Sequence, residues 1–251
     1  MPGRLSAGGP AWEGSPQAAV LVPVKAFRHA KVRLAAALPF AQRAALARAM
    51  AARVLAAASP LPVAVVCDDD EVATWAGSLG ARVIWEPGRG LNRAVASGVA
   101  HLAAEGVTQV TVAHADLPLA ADLASVGLVA SGGGASGAGA SDQGPGPEVR
   151  DLRLATLVPD RRLDGTNVLS VPTRSGFGFA YGPGSFWLHV VEALRLDLAL
   201  QVLRRPQLAW DIDVPSDLTG LTGLTDLTDL TDLTGPGTFA FAGGRAAQDA
   251  S

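Results

Sequence analysis

The sequence predicts an α/β domain in which a largely parallel sheet is covered by helices on both faces. Two patterns and a compositional fact carry this prediction. Short, continuous apolar runs recur along the chain, as strands buried on both faces require. Between them lie longer stretches with apolar groups at helical spacing. Such alternation builds parallel sheets, because a right-handed crossover must return the chain before the next strand starts. Apolar residues make up 49% of the 251 and charged ones only 17%, enough for one substantial core.

The elements follow in order. "AAVLVPV" (18–24) is the first strand, and residues 40–58 form a helix whose Arg43, Arg48 and Arg53 give a more polar face. "PVAVVC" (62–67) is a second strand. "DDDEVATWAGSLG" then supplies acids for a helix start and Gly80 for its stop. "ARVIWEP" (81–87) is the third strand, "LNRAVASGVAHLAAEG" the next helix, and "QVTVAHADLPL" (109–119) a fourth strand with its exit loop. Residues 131–147 are rich in Gly, Ser, Ala and Pro and cannot pack a core, so they are expected to be a flexible insertion in a surface loop. Strand signals resume at "LRLATLVPD" (152–160). The domain is expected to span residues 18–218. A disordered lead-in (1–17) precedes it and a low-complexity tail (219–251) with a three-residue Leu-Thr repeat follows, helical at most in its first turns.

Composition removes several functions. A formal net charge of −3 argues against a broad nucleic-acid-binding face. One cysteine, Cys67, excludes a disulfide framework and a multi-cysteine metal site, and its place at the end of an apolar run suits a buried thiol. No apolar run reaches the length of a membrane helix, and the first residues lack the apolar stretch of a signal peptide. A reducing cytoplasm is the expected location.

Ligands bind open α/β sheets outside the carboxyl ends of the strands, and the polar residues gather there. "VPVKAFRHAKVRL" brings Lys25, Arg28, Lys31 and Arg33 after the first strand with no acid among them. Asp116 follows the fourth strand, and Asp211 and Asp213 flank one Ile, so an extended backbone puts both carboxylates on one side. Three converging carboxylates need a cation, and hard oxygen ligands beside phosphate favour Mg²⁺. Helix capping by Asp211 and Asp217, and turn capping by Asp116, is the plainer explanation of each carboxylate alone, but beside the acid-free basic loop the balance turns to a shared metal site. Gly90 permits close backbone approach, while Asn92 suits either nucleoside recognition or a helix cap. "DGTN" and "GPGS" offer the Thr166 and Ser185 hydroxyls and the Gly182 and Gly184 backbone amides, which can cradle a small anion. His189 and Glu192, three apart on a helix, are expected to be packed rather than ligating. No P-loop and no dinucleotide fingerprint is present.

Six ordered motifs, "VPVKAFRHAKVRLA", "PGRGLNRAV", "ADLPL", "PDRRLDGTNVL", "YGPGSFWLH" and "LAWDIDVPSDL", resemble those of the phospholactate/phosphoenolpyruvate guanylyltransferases of coenzyme F-420 biosynthesis. The resemblance covers residues 18–218. It implies a three-layer nucleotidyltransferase fold, like that of the nucleotide-diphospho-sugar transferases, with a mixed, mostly parallel sheet. It also implies transfer of GMP from GTP to the phosphate of phosphoenolpyruvate or 2-phospho-L-lactate, with Mg²⁺, and release of product to the next enzyme of the pathway. By the same resemblance Thr166, Gly182 and Ser185 take phosphoenolpyruvate, Lys25, Lys31 and Arg33 the GTP phosphates, Gly90 and Asn92 the nucleoside, and Asp116, Asp211 and Asp213 the magnesium. The chain departs from the family pattern at Tyr181, where Phe is expected, at Arg161–Arg162, and in the glycine-rich insertion. A molybdopterin or sugar-1-phosphate nucleotidyltransferase would share the fold, but its glycine-rich first loop is missing. A non-catalytic nucleotide-binding domain would not need all three aspartates.

Overall fold

A computed structural model of the chain describes residues 12, 16–88, 90–128 and 153–221. The glycine-rich stretch at 131–147, nearly all of the lead-in and most of the repeat tail lie outside them. Seven strands form one sheet: β1 (Ala18–Pro23), β2 (Val63–Cys67), β3 (Arg82–Trp85), β4 (Gln109–Ala113), β5 (Leu154–Pro159), β6 (Thr166–Pro172) and β7 (Ala199–Val202). Their order across the sheet is β3-β2-β1-β4-β6-β5-β7. All pairings are parallel except those of β6, which runs against both β4 and β5. The sheet is thus mixed and mostly parallel, as expected.

Sequence alternation decides which face each residue serves. On β1, Val20 and Val22 join one core cluster with Val65 and Val83 of the sheet. Ala47, Ala51 and Val54 of α1 (Phe40–Ala56) and Val72 and Ala76 of α2 (Asp70–Ser78) cover it. Ala19 and Leu21 face the other way. There they meet Val95, Val99 and Leu102 of α3 (Gly90–Ala104), and the same cluster takes in Phe186 and Ala193 of α5 (Ser185–Arg195). Gly98 lets α3 come close: a Cβ there would lie 2.8 Å from Leu21 Cδ2. Three layers result. The short helices α4 (Ala124–Leu128), α6 (Pro206–Ala209) and α7 (Pro215–Leu221) complete the described elements. Helix α7 carries regular structure three residues past the expected domain end. No helix among the described residues is long and apolar enough to cross a membrane.

The first four strands and first three helices appear where the sequence puts them, within a few residues. β6 and β7 have no counterpart in the expected elements. β6 is apolar and buried, but its first residues sit within a polar motif. β7 is a short strand at the sheet edge with partly exposed residues. Between Val158 and Pro159 the β5–β6 register slips: Val158 faces Val168, whereas Pro159 faces Thr166.

His189 ties α5 to β6. The backbone N–H of Ala180 donates to Nε2 at 3.0 Å, so the proton must reside on Nδ1, which donates to the Thr166 hydroxyl at 3.0 Å. Burial, and then the nearby His114, push the His189 pKa down to about 4. It is a packed, neutral histidine, as the sequence suggested.

Two outcomes test this packing. Leu21→Ala removes a fully buried side chain from β1, an interior strand of the sheet. It should lower the unfolding free energy by about 2–5 kcal/mol in a denaturant titration. For His189 the folded pKa lies below the unfolded one. Its contribution is therefore complete above the unfolded value near 6.5 and is lost as pH falls toward about 4. Wild-type stability should fall by roughly 2–3 kcal/mol more than that of His189→Gln between pH 7 and 4.5. Equal pH dependence in the two proteins would remove His189 from this account.

Candidate active site

The basic loop leaves the carboxyl end of β1 and winds through two 3-10 turns, Phe27–His29 and Val32–Leu34. Its four cations have different tasks. Arg28 pairs with Asp69, whose other oxygen caps α2 by accepting from the Val72 N–H at 3.2 Å. Arg28 is thus spent on holding the loop against the helix. Lys31 turns inward, and its ammonium lies 2.6 Å from Asp116 Oδ2 and 3.1 Å from Asp213 Oδ1. Lys25 and Arg33 stay exposed on the rim.

Asp116 follows β4, and Asp213 arrives from beyond α6, so Lys31 joins three distant chain segments. Burial acts to raise the Asp116 pKa. The Lys31 charge, then that of His114, outweighs it and leaves the carboxylate below its usual range. Burial likewise acts to lower the Lys31 pKa, and the charges of Asp116 and Asp213 raise it overall. Asp211 differs. Burial first, then the Asp116 charge, raise its pKa, and its Oδ1 sits 3.6 Å from the Arg161 guanidinium.

Asp217, 1% exposed, organises this segment. Its Oδ2 accepts from the backbone N–H groups of Asp213 (2.8 Å) and Val214 (2.9 Å), and its Oδ1 meets Arg161 and Arg162. Arg161 also stacks over Trp210, 4.4 Å from the ring centroid, and donates to the Asp211 carbonyl. Asp217 therefore does what plain capping predicts, and the double arginine of "PDRR" is its counter-charge. Among the described residues no group of three or more His, Cys, Asp or Glu is arranged to hold a metal ion. Two of the three expected metal aspartates converge, and they do so on Lys31.

A cleft of about 550 Å³ opens at the carboxyl ends of β1, β2 and β4. Lys25, Lys31, Arg33, Gly90, Asp116 and Asp213 all line it. His114 lines it too, with its Nε2 buried and lacking a hydrogen-bond partner, although no sequence signal singled it out. Gly90 starts α3 at φ +72°, so a side chain there would be strained. Cys67 closes part of the wall, buried, with its thiol pushed up to about 11 by burial.

The remaining expected residues lie outside this lining. Asn92 donates from Nδ2 to the Tyr181 carbonyl (3.3 Å) and accepts at Oδ1 from the Tyr181 N–H (2.7 Å). Its amide thereby clamps the segment before α5 onto α3. Thr166 and Ser185 are buried and joined, the Thr166 N–H donating to Ser185 Oγ at 3.0 Å. Gly182, at φ +138°, is exposed, and no atom lies within contact of a Cβ built there. Asp160 shapes the turn before Thr166 by accepting from the N–H groups of Arg162, Asp164 and Gly165. Asp164 in turn accepts from the Gly184 N–H at 3.1 Å. Tyr181 joins the two regions, its ring 5.0 Å from that of His114 and 4.9 Å from that of His189. Glu192 accepts from the Gly178 N–H and pairs with Arg195.

Residues 18–128 match the family described as guanylyl transferase CofC like. The phosphoenolpyruvate guanylyltransferase of Rubrobacter xylanophilus is 37% identical over 206 residues, covering 80% of this chain and 91% of that protein. The enzyme of the same name from Conexibacter woesei is 34% identical, covering 80% and 85%. Among solved structures, a protein from Desulfovibrio desulfuricans G20, provisionally described as a nucleotide-diphospho-sugar transferase, aligns with a TM-score of 0.62 at 16% identity. That alignment covers 87% of this chain and 96% of that one. A nucleotidyl transferase from Methanothermobacter aligns with a TM-score of 0.53 at 14% identity, covering 83% and 97%. At such identities the structures speak to the fold, which is of the nucleotidyltransferase type. The sequence relatives go further, and with them the chain belongs to the CofC-like guanylyl transferase family.

Proposed function

We propose that this protein transfers GMP from GTP to the phosphate of phosphoenolpyruvate, yielding enolpyruvyl-diphospho-guanosine and pyrophosphate for coenzyme F-420 biosynthesis. The observation that carries this reading is the cleft. Its rim cations Lys25 and Arg33 and its part-buried carboxylates Asp116 and Asp213 border one space, as a metal-bound triphosphate requires. Relatives named for this reaction, at up to 37% identity, support the choice of acceptor. The reading places the reaction in the cytoplasm, with the product passing to the next enzyme of the pathway.

Mg²⁺ suits the residues present. Asp116 keeps a buried Oδ1 without a hydrogen-bond partner, and Asp213 comes within reach of the same ammonium. Two carboxylates with phosphate oxygens and water make an ordinary Mg²⁺ environment. Asp116 and Asp213 would hold the ion, and it would supply positive charge to the phosphates. Lys25 and Arg33 bind and orient the triphosphate from the rim. An acceptor phosphate oxygen then bonds to the α-phosphorus while the bond from that phosphorus to the β-phosphate oxygen breaks, and pyrophosphate leaves with the displaced charge. The acceptor oxygen is already anionic, so no side chain has to remove a proton. Thr166, Gly182 and Ser185 act on the acceptor side, with Ser185 fixing the Thr166 backbone and Gly182 leaving its approach open.

Pyrophosphate release and product mass, measured with GTP, Mg²⁺ and either phosphoenolpyruvate or 2-phospho-L-lactate, test the reading. Phosphoenolpyruvate should give the product at the higher kcat/KM. Turnover only with phospholactate would replace the acceptor, and no pyrophosphate with either would defeat the proposal. Asp116→Asn keeps the side-chain shape and removes its charge. It should lower kcat by about 100-fold or more while the circular dichroism spectrum stays that of the wild type. Wild-type turnover at saturating Mg²⁺ would take Asp116 out of the site.

A further inference from the structure

Lys31 sits in the left-handed region, at φ 53°, which a lysine rarely adopts. Arg43 of α1 reaches the carbonyl oxygens of Ala30 (3.5 Å) and Lys31 (3.4 Å) and holds the turn in place. This backbone aims a side chain only 10% exposed between Asp116 and Asp213. Two carboxylates so close would otherwise repel. An ammonium 2.6 and 3.1 Å from their oxygens stands where a divalent ion shared by the same pair would stand. The two cations cannot occupy that place together.

We propose that Lys31 is a built-in counter-ion, a positioning residue that keeps Asp116 and Asp213 converged before the divalent ion binds and is displaced from them when it does. Its ammonium then swings to the phosphates of the nucleotide. This last step rests on the functional reading above, whereas the counter-ion role concerns the nucleotide-free protein alone. Because metal and ammonium compete, the protein without nucleotide binds divalent ions weakly. Nucleotide offers the ammonium a second anionic seat, so metal and nucleotide raise each other's affinity.

Mn²⁺ binding to the full chain, followed by electron paramagnetic resonance, tests this without turnover. Lys31→Gln should bind Mn²⁺ about tenfold or more tightly than the wild type in the absence of nucleotide, since the competing charge is gone. Adding a GTP analogue with a methylene between the α and β phosphates should tighten Mn²⁺ binding by the wild type about tenfold and by the variant much less. The gain in Lys31→Gln should vanish when Asp116→Asn is added. Equal or weaker nucleotide-free binding by Lys31→Gln, or a gain that survives Asp116→Asn, overturns the proposal. Should Lys31→Gln fold poorly, the wild type suffices: acylation of Lys31, read by peptide mass, should speed up at saturating Mn²⁺ without nucleotide, where the displaced amine has no second anionic seat. An unchanged rate overturns the displacement. Failure of wild-type protein to release pyrophosphate from GTP would sink the functional reading but leave the nucleotide-free Mn²⁺ comparison to stand by itself.

Discussion

Because β1 is paired in parallel with β2 on one side and β4 on the other, three segments of chain leave the sheet at a single edge. The cleft exists through that arrangement. The basic loop follows β1, Asp68 and Asp69 follow β2, and His114 and Asp116 follow β4. The residues making this possible are unreactive: Val20, Leu21, Val22, Val65, Val110 and Val112 are fully buried. They fix the strand directions by packing on both faces, and the polar residues inherit their positions.

Charge is handled in pairs around the cleft. Arg28 answers Asp69, Lys31 answers Asp116 and Asp213, and Arg161 with Arg162 answers Asp217. Each pair also joins segments far apart in sequence. The formal net charge of −3 conceals this local order, in which Lys25 and Arg33 stay exposed on the rim of the cleft. Asp217 and Asp213, four residues apart, show how position separates roles. One is buried and bonded to backbone amides, and the other is partly exposed and faces the cleft.

Much of this was legible in the sequence, for identifiable reasons. Strands buried on both faces read as continuous apolar runs, so β1 to β4 were plain. β7 was not, because an edge strand lacks that signature, and β6 was hidden by the "DGTN" motif at its start. Lys25, Lys31, Arg33, Gly90, Asp116 and Asp213 were expected at strand ends and line one cleft. What the sequence could not show was how side chains pair across it. Nothing in "GLN" reveals that the Asn92 amide would close on the Tyr181 backbone. Nor does "WDID" reveal that Asp211 would lie beside Arg161 and Asp213 beside Lys31. His114 escaped notice because a lone histidine after a strand carries no pattern.

The register slip between β5 and β6 explains how Thr166 comes to meet α5. Val168 packs with the α1 side of the core and Leu169 with the α5 side. Strict alternation would send Thr166 with Val168 and Asn167 with Leu169. The observed contacts are the reverse: Thr166 bonds His189 on α5, and Asn167 donates to the carbonyl of Leu208, which belongs to the α1-side cluster. One surplus residue inverts the facing of everything before it. Thr166 therefore presents its hydroxyl to α5 by a miscount in a hairpin, and a chain one residue shorter there would show that helix a different side chain.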